Sequence, residues 1–142
     1  MPVTGDLEDA DGYKPLADER FKSGFSHEKE LAQPGYYRVW LQRYNVLAEL
    51  TATAHCGMHR YTFPASKQSH LLIDLSHNIG LRHTAGASLK LESNTLITGW
   101  RTNNGWVRKT IYFAIESSRP FKEFGLEAEG KALPSGEAAT VP

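Results

Sequence analysis

Turn-forming residues interrupt the chain about every 8 to 12 residues from Pro34 onward, and this spacing constrains the fold more than any other feature. Pro, Gly, Asn and Ser dominate these interruptions because they preset or tolerate the backbone angles that a reversal needs. The turn signals are Pro34-Gly35, Tyr44-Asn45, Cys56-Gly57, Pro64-Ala65-Ser66, Ser76-His77-Asn78, Ser93-Asn94, Asn103-Asn104-Gly105 and Arg119-Pro120. Reversals at this interval predict an antiparallel all-β domain.

The segments between these turns alternate apolar and polar residues with a period of two, as half-buried strands do. In one of them the apolar set is Val46, Ala48, Leu50 and Ala52, and the polar set is Glu49, Thr51 and Thr53. The same alternation predicts strands at residues 37–41, 71–75, 89–91 and 111–115. One-sided sheets need a covering layer, so we expect an antiparallel β-sandwich with at least six strands between Pro34 and Phe124.

The two ends of the chain differ in composition from its middle. Residues 1–18 are acidic, and residues 130–142 are largely Ala, Gly, Pro, Ser and Glu, so both ends are expected to be mobile. The length of 142 residues fits one domain. Residues 16–22 are the one helical candidate, and the single Cys56 is expected to be a small buried residue.

Charge and hydropathy argue against two classes of partner. Sixteen basic and sixteen acidic side chains give no net charge, and no cluster of Lys and Arg could follow a phosphate backbone. The longest apolar stretches fall far short of the roughly 20 residues that span a bilayer. Residues 1–12 have no apolar run of the kind found in a signal peptide. We expect neither nucleic acid nor a membrane as a partner.

The histidines and acidic residues are weak candidates for metal binding or catalysis. His55 and His59 flank a turn signal in a strand region, so the helical spacing that would put them on one face does not apply, and we expect no metal site. Glu49 and Asp74 could serve a glycosidase only as a pair about 5 to 9.5 Å apart, and strand carboxylates are commonly solvated. Arg60 is expected to bind a carboxylate such as Glu49 across a hairpin.

Aromatic and polar residues cluster around one predicted turn: Trp100, Arg101, Asn103, Asn104 and Trp106. The apolar face of a sugar ring can lie on an exposed indole while amides and a guanidinium bind its hydroxyls. Trp100, Arg101 and Trp106 are therefore the candidate substrate-binding residues. The alternative is structural, with one indole in the sandwich core and the other capping its end.

Four continuous strings of residues, in the order and at the spacing in which they occur, resemble the sequence of one known family. They are Phe25-Ser26-His27-Glu28 leading to Pro34-Gly35-Tyr36-Tyr37, then Ala48-Glu49-Leu50-Thr51-Ala52-Thr53, then His59-Arg60-Tyr61-Thr62-Phe63-Pro64, and later Thr98-Gly99-Trp100 through Gly105-Trp106 to Tyr112-Phe113. Over residues 25–131 the chain resembles the N-terminal domain of glycoside hydrolase family 92. It departs from the family's pattern at His55, where a basic residue such as Arg is expected.

The resemblance implies a β-sandwich, part of a larger supersandwich domain, that packs against a separate (α/α)6-barrel catalytic domain. Family members are exo-acting, calcium-dependent α-mannosidases that invert the anomeric carbon and are typically periplasmic or secreted. Their general acid, general base and calcium ligands lie in the catalytic domain, so no catalytic residue and no cofactor is expected in this chain. The implied partners are that catalytic domain and mannose-containing glycans.

The domain organisation implied by the resemblance is an acidic mobile segment at residues 1–24, a β-sandwich at 25–131 and a flexible tail at 132–142. The family's sandwich continues beyond Lys131, so the chain is expected to be part of a longer α-mannosidase. There it would shape the cleft and support the catalytic domain. Two alternatives stay open: a stand-alone carbohydrate-binding β-sandwich module and a purely structural interaction domain.

Overall fold

The computed structural model describes residues 1–7, 22–78, 83–128, 131–133 and 139–141. Within these residues the chain forms twelve β-strands and a short 3-10 helix at His27–Lys29. The strands are β1 (Pro2–Thr4), β2 (Glu30–Gln33), β3 (Tyr36–Leu41), β4 (Val46–Ala52), β5 (Gly57–Thr62), β6 (Ser69–Leu71), β7 (His83–Leu91), β8 (Leu96–Asn104), β9 (Lys109–Glu116), β10 (Leu126–Ala128), β11 (Lys131–Leu133) and β12 (Ala139–Val141). The chain divides into two compact units, Met1–Ile73 and Asp74–Pro142.

The first unit is built on a four-stranded antiparallel sheet with the order β2-β3-β4-β5. Gly35, between β2 and β3, has a φ of 77°, and Asn45, between β3 and β4, has a φ of 54°. Both angles lie in the left-handed region, which Gly adopts freely and Asn tolerates better than most residues. Two of the turn signals in the sequence therefore mark the two reversals that begin this sheet.

The core of the first unit is formed by Val3, Tyr44, Val46 and Leu72, all of them buried. Val46 is fully enclosed at the start of β4, and Ala48, two positions later, is 5% exposed. This pattern follows from the strand geometry, because successive side chains point to opposite faces of a sheet. Burying one valine side chain stabilises the fold by roughly 1.5–3 kcal/mol.

The second unit contains a four-stranded antiparallel sheet with the order β12-β7-β8-β9 and a separate β10-β11 hairpin. β7 and β8 pair along their length, with a register shift between Thr84 and Gly86. β8 and β9 pair without interruption from Leu96 opposite Glu116 to Asn103 opposite Lys109. β8 is therefore paired on both sides, and its side chains have neighbours on β7 and on β9.

The all-β, antiparallel fold class predicted from the sequence is confirmed. Seven strands, β3 to β9, lie between Pro34 and Phe124, in agreement with the prediction of at least six. Of the helical candidate at residues 16–22, only Lys22 falls among the described residues. In the described part of the chain, no helix is long and apolar enough to cross a membrane.

Two local predictions were wrong. The strand predicted at residues 71–75 ends at Leu71, because Asp74 Oδ1 accepts hydrogen bonds from the backbone N–H groups of Ser76 (2.7 Å) and His77 (3.2 Å) and so forms a turn. Cys56 is exposed rather than buried. It lies in the turn between β4 and β5, where its carbonyl accepts a hydrogen bond of 2.8 Å from the N–H of Thr53.

The structure also places strands in both end segments that were predicted to be mobile. β1, within residues 1–24, pairs with β6 and buries Val3 in the core of the first unit. β12, within residues 132–142, pairs with β7. The predicted bounds of the β-sandwich at residues 25 and 131 stay predictions. Residues 8–21, 134–138 and 142 lie outside the described residues, so the prediction for them stays a prediction.

Candidate functional site

The three predicted sugar-binding residues lie in or beside the β8–β9 hairpin, but the structure does not place them on one surface. Trp100 and Arg101 are consecutive residues of β8, so their side chains point to opposite faces of the sheet. Trp106 lies in the turn between β8 and β9 and is fully exposed. The predicted set therefore has one member on each face and one at the tip of the hairpin.

Trp100 lines a shallow groove with a volume of about 350 Å³. The strand register explains the other lining residues: Ser88 on β7 and Tyr112 on β9 lie directly opposite Trp100. Lys90 and Thr98, which pair with each other, also line the groove. Because Tyr112 is 77% exposed, the groove offers an accessible ring beside the indole and polar groups around it. This combination can stack on a sugar ring and bind its hydroxyls.

Glu92 holds two of the polar groups that line the groove. Its carboxylate accepts hydrogen bonds from Lys90 Nζ at 2.7 Å and from Thr98 Oγ1 at 2.8 Å. Both bonds lower the pKa of Glu92, and the bond from Lys90 has the larger effect. The remaining N–H donors of Lys90 and the lone pairs of Thr98 can still meet the hydroxyl groups of a ligand.

Gly99 and Phe113 complete the lining of the groove. They are cross-strand partners, and a Cβ atom built on Gly99 would lie 2.5 Å from Phe113 Cζ and 2.5 Å from the Ser88 carbonyl oxygen. Such distances are far inside van der Waals contact, so no side chain fits at this position. The aromatic ring of Phe113 covers the glycine, an arrangement that stabilises a glycine in a strand.

Arg101 has a structural role on the other face of β8. Its Nη2 donates to the His77 carbonyl at 2.5 Å and to Asn78 Oδ1 at 2.6 Å, while Asn78 Nδ2 donates to Thr84 Oγ1 at 3.1 Å. The segment before β7 is thereby tied to both β7 and β8. Among the described residues, Arg101 Nε and Asn103 Oδ1 are buried without a hydrogen-bond partner. An ordered water commonly satisfies such atoms.

Glu49, one of the two carboxylates weighed for catalysis, makes structural bonds. Its cross-strand partner Arg60 donates from Nε to Oε2 at 2.7 Å and from Nη2 to Oε1 at 2.5 Å, which confirms the predicted pair. The hydroxyl of Tyr36 donates to Oε1 at 2.7 Å. The hydrogen bonds from Arg60 and then Tyr36 lower the pKa of Glu49 to about 2. A carboxyl with this pKa holds no proton near neutral pH, so it is unsuited to act as a general acid.

The Glu49–Arg60 pair predicts a pH dependence of stability. Since folding lowers the pKa of Glu49 from 4.5 to about 2, its contribution is fully present above pH 4.5 and is lost as the pH falls toward 2. Glu49→Gln should therefore unfold at a lower temperature than the wild type at pH 7, and the gap should narrow between pH 4.5 and 2. Thermal unfolding across this pH range measures the gap between the two unfolding temperatures. The control is Glu116→Gln, which changes an exposed carboxylate at the end of β9. If the unfolding temperature of Glu49→Gln fell with decreasing pH as steeply as that of the wild type, the stabilising role of the Glu49–Arg60 pair would be contradicted.

The other carboxylates with described partners are also engaged in structure. Asp74 accepts from the N–H and the hydroxyl of Ser76, the latter at 2.6 Å. Glu30 accepts from the Tyr37 hydroxyl at 2.5 Å and lies 2.6 Å from His27 Nδ1, and these contacts, led by that of Tyr37, lower its pKa. Within the described ranges, no group of three or more His, Cys, Asp or Glu side chains could hold a metal ion.

Comparison with known proteins gives a consistent result. The family model "Glycosyl hydrolase family 92 N-terminal domain" matches residues 1–141. A solved structure of a family GH92 α-mannosidase from Bacteroides thetaiotaomicron aligns with a TM-score of 0.85 and 28% identity, covering 99% of this chain and 20% of that chain. A structure of the α-mannosidase in complex with mannoimidazole aligns with a TM-score of 0.84 and 28% identity, covering 99% and 19%. No curated protein sequence matches the chain.

The match extends beyond the strings that suggested the resemblance. Those strings lie within residues 25–131, whereas the family model begins at residue 1, so it includes β1 and the buried Val3. The chain spans about one fifth of the length of the solved enzymes that it matches. Because the family model matches residues 1–141, the chain belongs to the glycosyl hydrolase family 92 N-terminal domain family.

Proposed function

We propose that this chain is the non-catalytic β-domain of an exo-acting α-mannosidase. One observation carries the proposal: the family match covers residues 1–141, while a solved α-mannosidase of the same fold has about four fifths of its length outside the matched region. Under this proposal an (α/α)6-barrel in the remaining part of the parent enzyme performs the hydrolysis. The present domain supports that barrel and shapes the cleft.

The described carboxylates favour a non-catalytic role. Inverting hydrolysis needs a protonated acid and a separate base that activates a water. Glu49 is held ionised by Arg60, Asp74 forms a turn, and Glu30 accepts from Tyr37. Because their pKa values are lowered, Glu49 and Glu30 are unsuited to supply a proton to a leaving sugar.

The proposal also assigns the remaining requirements of the reaction to the parent enzyme. Calcium binds in the catalytic domain, where it supports hydrolysis at the scissile mannoside. The substrates are mannose-containing glycans, and the parent enzyme acts in the periplasm or outside the cell.

A chimeric enzyme tests the supporting role. In the B. thetaiotaomicron α-mannosidase, this chain replaces the fifth of the sequence that it matches. We expect calcium-dependent release of mannose from mannobiose above that of the enzyme lacking the matched fifth. The control is the same chimera carrying Val46→Asp, which disrupts the core of this domain. A folded chimera that releases no more mannose than the truncated enzyme would count against the proposal.

A second candidate function, direct carbohydrate binding, is favoured by the groove between Trp100 and Tyr112. Stacking and a few hydrogen bonds in so shallow a site correspond to millimolar affinity, or about 4 kcal/mol. We expect mannose to change the tryptophan fluorescence of the chain at such concentrations. Tyr112→Ala, which leaves every indole in place as a reporter, should weaken binding about fivefold, because one stacked ring contributes about 1 kcal/mol.

Trp106→Ala distinguishes the groove from the hairpin tip. If the groove binds the sugar, this variant keeps the wild-type affinity, since Trp106 does not line the groove. Loss of binding in Trp106→Ala but not in Tyr112→Ala would move the site to the tip. If mannose changed the fluorescence of the wild type at no concentration, the binding function would be contradicted and the supporting role would be the remaining proposal.

A further inference from the structure

An Asn-Gly dipeptide lies where β8 passes into the turn of the β8–β9 hairpin. Asn104 is the last residue of β8, and Gly105 is the first residue of the connection at 105–108 that leads to β9. Both residues are exposed. Water can therefore reach both the side-chain amide of Asn104 and the backbone N–H of Gly105.

The residue that follows Asn104 distinguishes it from the other asparagines of the chain. An asparagine side chain can react with the backbone nitrogen of the next residue, and glycine hinders this reaction least because it has no Cβ atom. The other asparagines, Asn45, Asn78, Asn94 and Asn103, precede Val, Ile, Thr and Asn. Val, Ile and Thr have stiff, β-branched side chains that crowd the backbone nitrogen. Asn104 is therefore the asparagine with the most accessible reaction partner.

The strand pairing holds Asn104 less firmly than the residues before it. In the ladder with β9, the last pair joins Asn103 to Lys109, one residue before Asn104. In the ladder with β7, Asn104 forms the terminal pair, with His83. Terminal pairs open at little cost in free energy. Asn104 can therefore leave the extended conformation, which disfavours the five-membered ring that its side chain would close with the nitrogen of Gly105.

His83 lies beside the atom of Asn104 that would leave in such a reaction. Its Nε2 atom is 3.3 Å from Asn104 Nδ2, and the imidazole is exposed, so it exchanges protons with the solvent. A protonated imidazole can donate a proton to a leaving nitrogen, and histidine is the side chain that most often serves as a general acid. The pairing of β7 with β8 thus brings a proton donor to Asn104 from 21 residues away in the sequence.

We propose that Asn104 is a site of spontaneous deamidation in which His83 protonates the leaving group. The backbone nitrogen of Gly105 forms a bond to Asn104 Cγ and loses its proton to water. The Cγ–Nδ2 bond breaks, and Nδ2 takes a proton from His83 and leaves as ammonia. Water then opens the succinimide ring at either carbonyl, which gives an aspartate or an isoaspartate at position 104. Both products place a negative charge beside His83, in a chain whose formal net charge is zero before the reaction.

Peptide mapping by mass spectrometry during incubation at neutral pH tests the site. Trypsin cleavage after Lys90, Arg101 and Arg108 releases residues 91–101, which contain Asn94, and residues 102–108, which contain Asn104. We expect Asn104 to lose its amide at least about tenfold faster than Asn94, an exposed asparagine that precedes a threonine. Asn104→Gln should abolish the mass change of residues 102–108, which excludes Asn103 as its source. Equal rates at Asn104 and Asn94 would overturn the assignment of the site.

His83→Ala tests the proton donor. We expect this variant to deamidate at Asn104 at least about threefold more slowly than the wild type, because the leaving nitrogen loses its general acid. The matched control is His55→Ala, which removes an exposed histidine of the first unit and should keep the wild-type rate. In concentrated urea the two histidine variants and the wild type should react equally fast, since the strand pairing no longer brings His83 to Asn104. An unchanged or faster rate in folded His83→Ala would overturn the role of His83.

Discussion

Val46→Asp is expected to unfold the first unit. Val46 has no exposed surface and packs with Val3, Tyr44 and Leu72 in the core of that unit. An aspartate there would be an unpaired charge in an apolar site, which costs about 4–5 kcal/mol or more even after partial relaxation. Since the whole stability of a domain is about 5–15 kcal/mol, the substitution removes most or all of it.

Ala52→Asp is the matched control for this substitution. Ala52 lies on the same strand and, by alternation, on the same face as Val46, but it is exposed at the end of β4. We expect its free energy of unfolding, measured in urea, to stay within about 0.5 kcal/mol of the wild type. Cooperative unfolding of Val46→Asp near the wild-type midpoint would contradict the assignment of the core.

Gly99→Ala should destabilise the second unit by about 2–3 kcal/mol, an unusually large effect for the addition of one methyl group. The added Cβ would lie 2.5 Å from Phe113 Cζ and 2.5 Å from the Ser88 carbonyl oxygen. The ring can rotate away at modest cost, but the carbonyl belongs to β7, which pairs with β8. The strands themselves must therefore separate to admit the methyl group.

A second substitution distinguishes the two clashes. Gly99→Ala combined with Phe113→Leu removes the contact with the ring but leaves the contact with the Ser88 carbonyl. The double variant should therefore stay destabilised relative to Phe113→Leu, by at least about 1 kcal/mol in urea unfolding. Equal stability of the double variant and Phe113→Leu would show that the backbone approach at Gly99 is not limiting.

Alternation of apolar and polar residues was enough to predict four of the twelve strands in the described residues, namely β3, β4, β7 and β9. In β4 the buried pair Val46 and Ala48 and the ion-paired Glu49 fall on the faces that the period of two assigns to them. The same pattern misled at residues 71–75, because the local hydrogen bonds of Asp74 favour a turn over a strand. Periodicity alone does not include this competition.

The site could be predicted only in part, because side-chain neighbours across a hairpin depend on its register. The aromatic cluster indicated Trp100, but Tyr112 and Ser88 were missed as its neighbours. The turn signal at Asn103-Asn104-Gly105 precedes the actual turn, since β8 continues to Asn104 and β9 begins at Lys109. A register predicted from that signal would pair Trp100 with a different residue of β9.

Turnover of mannobiose by the purified chain at saturating calcium tests the central claim most directly. Because Arg60 holds Glu49 ionised and Asp74 Oδ1 accepts the hydrogen bonds of a turn, and because the proposal places the catalytic residues in another domain, we predict no mannose release above that of buffer alone. Robust turnover that is lost in Glu49→Gln or Asp74→Asn would contradict the non-catalytic account.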